Sequence, residues 1–457
     1  MSTRKPEGFS PAWLDARLAQ LLPRKRPQRL LVACSGGVDS IALLALAARL
    51  PRRRWQVRAM HVHHHLQAAA DAAARLCRAE CRRLGVPLRT VHLRLGPILG
   101  QSVEAVARDA RYAAAARALR AGEVLLTAHH DDDQLETVLL QLLRGAGVEG
   151  LAAMPACAPF GRGWHARPLL GSTRAQVEAW ARAEGLQWIE DASNADLRFD
   201  RNYLRADVLP RLRSRWPAAA TVVARSAQHM ADASELLAAI GDADRADAAV
   251  GRALDVASLV ALSPARQRNL LRRWIGAEGL RVPDARRLEQ IRTALVLART
   301  DAQPEVSWSG GSVRRFRGRL YAVGLLPPVP LPPQRWSWRR QGWLAVGHGL
   351  GQLHLIEDVA GPLALAKLPA VLTVTLRAGG ERLQLRPRGP HRPLKDVLRE
   401  AGVLPWWRPR LPLVSAHGRL IAVADLWTDA AFHAGPRTRR RGRFEWRIAD
   451  AASRAPR

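Results

Sequence analysis

The stretch that decides the fold is Arg29-Leu30-Leu31-Val32-Ala33-Cys34-Ser35-Gly36-Gly37-Val38-Asp39-Ser40. Its apolar first half predicts a strand, and its second half predicts a Ser-Gly-Gly turn that opens directly onto a helix. Two consecutive glycines let the backbone adopt positive φ and approach a ligand closely, so that N–H groups converge on an anion at the positive end of the helix. The loop therefore predicts a phosphate-binding site, formed by Ser35, Gly36, Gly37, Val38, Asp39 and Ser40.

Asp39 distinguishes this loop from a Walker A loop, which carries a lysine where this loop carries a carboxylate. A carboxylate beside phosphates implies a bridging cation, and Mg²⁺ suits that role best. We therefore predict that Asp39 is a metal ligand. For a Ser-Gly-Gly turn alone, the alternative is a plain strand-to-helix turn that Asp39 or Ser40 caps.

The chain around this loop alternates predicted strands and helices. After the strand at its start, further strands are predicted at residues 55–61, 88–93 and 124–127, separated by helices that include 41–50 and 71–84. Units of this spacing predict right-handed crossovers and a parallel sheet. The helix that follows the fourth strand has an expected buried side, formed by Leu135, Val138, Leu139, Leu142 and Leu143.

Composition and charge narrow the class of protein. The 457 residues suit two or three domains, and the formal charge of +31 predicts a polyanionic partner, with nucleic acid as the first choice. Because the sequence lacks an apolar run of about 18–20 residues and a secretion signal at residues 1–10, we expect a cytoplasmic protein without a membrane span. Cys77 and Cys81 are predicted to be buried thiols, and the alternation of a strand disfavours a metal site at residues 61–65.

Three further polar clusters follow the loop. Arg108 and Arg111 lie one helical turn apart, either on a solvated face or in a site. The run His129-His130-Asp131-Asp132-Asp133-Gln134-Leu135-Glu136 opens a helix. Capping explains one or two of its aspartates, but like charges packed together repel unless a cation lies among them, which predicts a metal ion or a substrate ammonium. In the third cluster a helix would point Arg201 and Arg205 the same way.

Five blocks of sequence, taken in order and spacing, resemble the tRNA(Ile)-lysidine synthetase family of PP-loop ATP pyrophosphatases. The blocks are the phosphate loop, the helix with Glu104, Arg108, Arg111 and Tyr112, the run from His129 to Thr137, Arg167-Pro168-Leu169, and the segment from Glu190-Asp191 through Ser193-Asn194 to Arg201-Asn202 and Arg205. The resemblance covers residues 25 to 215. It implies a Rossmann-like α/β domain with a parallel sheet, followed by a small mainly helical domain and a C-terminal α+β domain.

The resemblance implies a two-step reaction on the wobble cytidine of a tRNA(Ile) with a CAU anticodon. The cytosine O2 attacks the α-phosphate of ATP and releases pyrophosphate, and the ε-amine of free L-lysine then attacks C2 and releases AMP. Asp39 would position Mg²⁺ or the incoming ammonium. Asp132 and Glu136 would recognise lysine together with Arg108 and Arg111. Two arginines, Arg201 and Arg205, would neutralise charge on the transferring phosphate.

Candidate RNA contacts lie in the second half of the chain. Arg268 and Arg272 belong to a helix whose basic face suits a phosphate backbone, the alternative being a solvated face. Further candidates are Arg377, Arg382, Lys395, Trp406 and Arg408. For Trp406, stacking on RNA is weighed against burial in a hydrophobic core.

The predicted domains are residues 1–216 for catalysis, 217–325 for tRNA contact, 326–365 as a proline-rich connection, 366–447 for tRNA binding and 448–457 as a tail. A homodimer is a further possibility.

Two other functions fit part of the pattern. A tRNA thiolase shares the ATP site, but the spacing of Cys77 and Cys81 disfavours it. A non-enzymatic RNA-binding protein explains the basic charge but not the acidic cluster.

Overall fold

The computed structural model describes residues 8–22, 29–63, 69–93, 103–190, 197–299, 304–329, 331–347 and 349–448. Asp191, Ser193, Asn194 and the histidines at positions 64 and 65 lie outside these ranges, as do residues 449–457. The chain divides into two compact units, residues 1–236 and 237–457. The boundaries of the five predicted segments stay predictions.

A six-stranded sheet forms the centre of the first unit. Its strands are β1 (Arg29–Ala33), β2 (Gln56–His63), β3 (Leu88–His92), β4 (Val124–Leu126), β5 (Cys157–Phe160) and β6 (Gly163–Ala166). The order across the sheet is β3-β2-β1-β4-β6-β5, and all neighbours are parallel except the hairpin of β5 and β6. Leu30, Leu31 and Val32 in β1 are completely buried, as expected for a central strand with helices on both faces. The predicted parallel α/β sheet is confirmed.

Helices connect and cover these strands. They are α1 (Pro11–Leu21), α2 (Val38–Ala48), α3 (Ala69–Leu84), α4 (Val103–Ala118), α5 (Asp131–Leu143), α6 (Val148–Leu151), α7 (Arg174–Ala183), α8 (Asp200–Tyr203), a π-helical turn (Leu204–Val208), α9 (Leu209–Arg215) and α10 (Ala219–Ala248), in which the division between the units falls. In the described residues, no helix is long and apolar enough to cross a membrane.

The topology places one edge of the sheet where a ligand can bind. After β1 the chain builds β2 and β3 on one side, and β4 then lies on the other side of β1. Loops that leave β1 and β4 therefore diverge and open a crevice at the carboxyl ends of the strands. The phosphate loop follows β1, and the acidic start of α5 follows β4.

One predicted helix face differs from the structure. Leu135 is buried, but Leu142 and Leu143 at the end of α5 are 57% and 77% exposed. The first turn of α5 is buried instead, including its aspartates. The prediction was wrong at this end because apolar periodicity marks a face of a helix but does not show how far along the helix other elements cover that face.

The second unit combines helices with antiparallel sheets. Its helices are α11 (Val256–Val260), α12 (Pro264–Ala277), α13 (Ala285–Gln290), α14 (Leu394–Glu400), a π-helical turn (Ile291–Val296) and short 3-10 turns at Leu365–Lys367, Arg408–Arg410 and Ala430–Phe432. Ser263 caps α12, and the apolar side of that helix is buried; it consists of Leu270, Leu271, Trp274 and Ile275.

The strands of the second unit form four sheets. The first sheet has the order β7 (Ala249–Val250), β8 (Ala253–Asp255), β11 (Arg319–Val323), β10 (Gly311–Phe316), β9 (Glu305–Trp308). The second has the order β12 (Gln334–Trp336), β16 (Leu372–Thr375), β19 (Leu413–Ala416), β20 (Arg419–Val423), β21 (Trp427–Thr428). The third sheet has the order β13 (Trp343–Ala345), β14 (Gln352–Glu357), β22 (Arg441–Arg447), β15 (Leu363–Ala364). The fourth sheet is the pair of β17 (Arg382–Gln384) and β18 (His391–Pro393).

Candidate active site

The phosphate loop is held together by one hydroxyl group. Ser40 Oγ accepts hydrogen bonds from the backbone N–H groups of Ser35 at 3.1 Å and Gly36 at 3.2 Å, and it donates to the carbonyl of Gly37 at 2.9 Å. Gly37 is the N-cap of α2, so the loop ends at the positive end of that helix. The loop is thus preorganised to receive an anion.

Gly36 has φ +94°, which side chains with a Cβ rarely adopt, and a Cβ there would lie 3.3 Å from the Cβ of Ala73 in α3. We expect Gly36→Ala to raise the KM for ATP about tenfold or more, because the loop must shift to relieve both strains. Steady-state kinetics with ATP as the varied substrate measure this. Gly122→Ala is the matched control, since Gly122 also has positive φ but has open space around it. An unchanged KM for ATP in the Gly36 variant would contradict the assignment of the loop.

His130 joins the loop to the acidic turn of α5. Its Nε2 lies 3.6 Å from Asp39 Oδ2 and 3.5 Å from Asp133 Oδ2, and its Nδ1 lies 3.6 Å from Asp132 Oδ2. Burial lowers the pKa of His130, but Asp39, Asp133 and Asp132 outweigh it and raise that pKa above the ordinary value. The three carboxylates thus favour the protonated form of His130, a residue that was not among the predicted site residues.

Glu136 lies one helical turn further along α5 and binds two arginines. Its side chain is 2% exposed, and it accepts hydrogen bonds from Arg201 Nε at 2.9 Å and Arg205 Nε at 2.5 Å. Arg205 Nη2 also donates to Asp133 Oδ1 at 3.0 Å. Arg201 lies in α8 and Arg205 in the following π-helical turn, and both point at the same carboxylate, as their spacing predicted.

Asp132 and Asp133 have different surroundings although they are adjacent. Asp132 accepts hydrogen bonds from the backbone N–H of Arg174 at 2.7 Å and from Arg213 Nη2 at 2.6 Å. Asp133 faces His130 and Arg205, and these cations together with His129 hold its pKa below the ordinary value despite burial. The structure thus adds Asp133, which was not among the selected residues, to the carboxylates beside Asp39.

Cations of the protein itself lie among the packed carboxylates. The sequence predicted a metal ion or a substrate ammonium there, and the structure places the guanidinium groups of Arg201, Arg205 and Arg213 in that position, beside the ring of His130. Among the described residues, no group of three or more His, Cys, Asp or Glu side chains has the geometry of a metal site. Asp39 Oδ1 is nevertheless buried without a hydrogen-bond partner, so one carboxylate oxygen of the phosphate loop remains available to a cation.

A neutral histidine pair flanks the acidic cluster. Thr127 Oγ1 lies 2.8 Å from both His129 Nδ1 and His165 Nε2, so the hydroxyl joins the two rings. Burial lowers the pKa of His129 to about 4, and burial with Arg167 lowers the pKa of His165 to about 3. Both rings are therefore neutral at pH 7.

These pKa values predict acid sensitivity. The pKa of His165 is about 3 in the native protein and 6.5 in the unfolded chain, so as the pH falls the unfolded chain takes up the proton at a higher pH than the native protein does. Protonation therefore favours the unfolded state, and the free energy of unfolding decreases as the pH drops below 6.5. Between pH 7 and pH 5, His165 alone should lower the free energy of unfolding by about 2 kcal/mol. Urea denaturation of the native protein and of His165→Gln at both pH values measures this. An equal loss between pH 7 and pH 5 in both proteins would contradict the prediction.

The remaining predicted lysine contacts lie on α4. The Arg108 guanidinium lies 5.8 Å from the centre of the Tyr112 ring, and Tyr112 in turn packs against His165 with ring centres 5.7 Å apart. Arg108 therefore lies beside the histidine pair, whereas Arg111 is exposed. The segment just before Glu190 contacts the phosphate loop, because the Ile189 N–H donates to the Gly36 carbonyl at 3.0 Å.

The candidate RNA contacts in the second unit have mixed surroundings. Arg268 lies 3.6 Å from Glu289, and Arg272 is exposed on α12. Arg382 donates to the carbonyl of His391, and Lys395 is exposed on α14. Trp406 is only 7% exposed and packs against Phe316 and Tyr321 in a hydrophobic cluster, so burial in the core is the alternative that the structure favours.

Arg377 and Arg408 belong to one group of arginines. Burial and the charges of Arg317, Arg377 and Arg399 lower the pKa of Arg408. Arg317 in the turn between β10 and β11 donates to the carbonyl of Arg399 at 2.7 Å. Sequence reasoning missed Arg317 and Arg399, because the contact spans 82 residues of chain.

The Ser-Gly-Gly-x-Asp-Ser loop at the switch point of a parallel sheet defines an ATP-binding domain of the PP-loop class, and the PP-loop domain family matches residues 12–212. The TilS substrate binding domain matches residues 254–321, and the TilS substrate C-terminal domain matches residues 372–446. The chain belongs to the tRNA(Ile)-lysidine synthase family. It is 43% identical to the tRNA(Ile)-lysidine synthase of Alkalilimnicola ehrlichii over 94% of this chain and 96% of that protein. The family predicted from sequence is confirmed.

A second relative supports this placement. The tRNA(Ile)-lysidine synthase of Pseudomonas aeruginosa is 43% identical over 90% of this chain and 93% of that protein. One similar solved structure is the U34-tRNA thiolase NcsA of Methanococcus maripaludis with its 4Fe-4S cluster. It is 16% identical in sequence, the match covers 48% of this chain and 78% of the thiolase chain, and the TM-score is 0.39. At that TM-score the likeness carries no conclusion about function.

Proposed function

We propose that this protein uses ATP to attach free L-lysine to C2 of the wobble cytidine in a tRNA(Ile) with a CAU anticodon. In the first step the cytosine O2 attacks the α-phosphate of ATP, and pyrophosphate leaves. In the second step the ε-amine of lysine attacks C2, loses a proton and displaces AMP. The relatives named tRNA(Ile)-lysidine synthase support this reaction and do not favour the thiolase alternative.

One observation in the structure carries the proposal. His130 bridges Asp39 in the phosphate loop and Asp133 in α5, so the site for a nucleotide and a cluster suited to an ammonium group are continuous. ATP phosphates placed at the positive end of α2 would therefore lie beside the carboxylates that hold the amine. This proximity serves a reaction in which both groups must reach one cytosine ring.

For lysine recognition we propose Glu136 with one of the two adjacent aspartates, Asp133 or Asp132. The adjacent aspartates can be separated by experiment, because Asp132 already holds the N-terminus of α7 and Arg213. If Asp133 meets lysine, Asp133→Asn raises the KM for lysine while Asp132→Asn mainly lowers stability. Arg201 and Arg205 are proposed to stabilise charge near the α-phosphate, and both are held in place by Glu136.

The residues at the loop fit a magnesium ion. Mg²⁺ is commonly bound by one or two carboxylates together with substrate phosphates, and Asp39 offers a buried carboxylate oxygen without a partner. When bound there, Mg²⁺ would offset the negative charge of the phosphates. Asp39 would hold the ion, and the positive end of α2 would orient the phosphates.

We further propose that Arg268, Arg272, Arg377, Arg382, Lys395 and Arg408 contribute to tRNA binding, with Arg317 and Arg399 added by the structure. Trp406 is left out because its ring is buried. The proposed setting is the bacterial cytoplasm, where the tRNA substrate occurs, and a homodimer remains part of the proposal. Sedimentation with and without tRNA tests the dimer.

Incorporation of radiolabelled lysine into a tRNA(Ile) transcript bearing CAU tests the function. The reaction contains ATP and Mg²⁺, and the controls use a tRNA(Met) transcript or omit ATP. We expect ATP-dependent label confined to tRNA(Ile). Release of AMP and pyrophosphate without lysine label would show an adenylating enzyme with another nucleophile. Absence of any nucleotide turnover would leave an RNA-binding protein.

A further inference from the structure

Arg167 is a buried guanidinium at the carboxyl end of β6. The residue is 7% exposed. Its Nη1 donates to the carbonyl of Pro155 at 2.7 Å, and its Nε is buried without a hydrogen-bond partner. Arginine stays protonated in proteins, so this group brings a full positive charge into the interior. The proposed reaction has not used it.

The groups around Arg167 do not neutralise that charge. Burial and the charge of Arg108 lower the pKa of Arg167, and Tyr112 and Cys157 only partly offset these effects. Within the described ranges, no carboxylate forms an ion pair with Arg167. By contrast, Arg201 and Arg205 are both paired with Glu136.

The sheet places Arg167 beside the catalytic cluster. Leu126 in β4 pairs with Ala166 in β6, and the Thr127 N–H donates to the Ala166 carbonyl at 3.1 Å. Arg167 therefore leaves the sheet next to Thr127 and the histidine pair, one strand away from the acidic start of α5. The charges of Arg167 and Arg201 lower the pKa of His129, and the charge of Asp133 raises it.

A buried charge without a partner is costly, and an oxyanion would offset that cost. We propose that Arg167, supported by Tyr112, binds the α-carboxylate of the amino-acid substrate. This inference rests on the proposed function. Lysine carries two ammonium groups and one carboxylate, so its site needs acids and an uncompensated cation side by side. Asp133 and Glu136 supply the acids, and Arg167 supplies the cation.

Phosphate groups fit this position less well. The phosphates of ATP have the loop after β1, two strands away from β6. A tRNA phosphodiester is flanked by nucleotides on both sides, and a guanidinium in a residue that is only 7% exposed is hard for it to reach. The α-carboxylate of a free amino acid is a terminal group without such flanking nucleotides.

The test compares lysine with 1,5-diaminopentane, which is lysine without its carboxylate. Both compounds, unlabelled, are used as inhibitors of radiolabelled lysine incorporation by the native enzyme, Arg167→Gln and Arg167→Lys. We expect Arg167→Gln to raise the inhibition constant of lysine ten- to a hundredfold, because a hydrogen bond to a charged group is lost, and to change that of diaminopentane less than threefold. Arg167→Lys should recover part of the loss. The KM values for ATP and tRNA should stay unchanged.

Arg162→Gln is the matched control, since Arg162 lies in the turn of the same hairpin and is exposed. Equal weakening of lysine and diaminopentane by Arg167→Gln would overturn the proposal and indicate a structural role. A raised KM for tRNA or ATP with unchanged lysine inhibition would overturn it in favour of a phosphate contact. An unchanged inhibition constant for lysine would also overturn it. Failure of the proposed function itself is distinct, because the native enzyme would then incorporate no lysine.

Discussion

Replacement of Asp39 by asparagine should reduce the rate of pyrophosphate release by about a thousandfold, which corresponds to about 4 kcal/mol of transition-state stabilisation. The change keeps the shape of the side chain but removes the charge that would hold a cation beside the phosphates. Asp39 Oδ1 is buried without a partner, and Oδ2 lies 3.6 Å from His130, so the fold depends little on this carboxylate. We therefore expect the loss in activity with little change in thermal stability.

Quench-flow measurement of AMP and pyrophosphate, with lysine incorporation measured in parallel, tests this expectation. Asp207→Asn is the control, because Asp207 forms a surface ion pair with Arg211 on the neighbouring turn of helix. The control should retain nearly full activity. If Asp39→Asn releases pyrophosphate at the native rate, Asp39 takes no part in the first step, and the metal assignment fails with it.

Replacement of Glu136 by glutamine should have the largest effect on stability. Glu136 is 2% exposed and binds Arg201 and Arg205, so loss of its charge leaves two partly buried guanidinium groups without their main partner. Breaking a buried pair in this way costs about 3–5 kcal/mol. Lysine incorporation should fall as well, since both arginines lose their fixed position. Urea denaturation followed by circular dichroism measures the first effect.

Glu80→Gln is the control for this change. Glu80 is also buried but pairs with a single, half-exposed arginine, Arg83, so we expect a loss of about 1 kcal/mol or less. The double variant Glu136→Gln with Arg205→Gln should lose less than the sum of its single losses, because the second change removes an uncompensated charge. Strict additivity would show that the two side chains do not interact in solution.

Local sequence predicted the parts of the site that depend on neighbouring residues. The phosphate loop forms as expected because its glycine conformation, its serine hydroxyls and the start of the helix after it all lie within residues 35–40. The spacing of Arg201 and Arg205 also sufficed to predict that they point the same way. Such features follow from backbone geometry over one or two turns.

Contacts over long sequence distances could not be predicted in this way. Asp132 and Asp133 differ by about 100° around the helix axis, and periodicity alone does not show which of them faces the phosphate loop. The choice depends on Arg174 and Arg213, which meet Asp132 from other elements. Likewise, the sequence was compatible with stacking of the Trp406 ring on RNA or with its burial in a hydrophobic core. The structure shows that Phe316 and Tyr321 pack against this ring.

By itself the sequence determined the family, the parallel α/β sheet, the phosphate loop and the reaction class, because each depends on residue types at short, fixed spacings. Tertiary structure alone decided which cation meets which carboxylate. It pairs Glu136 with Arg201 and Arg205 across 65 and 69 residues, and it leaves Arg167 buried without an acidic partner among the described residues. The physical reason is that the energy of a charge depends on its burial and on its neighbours in space, and the order of strands in the sheet sets both.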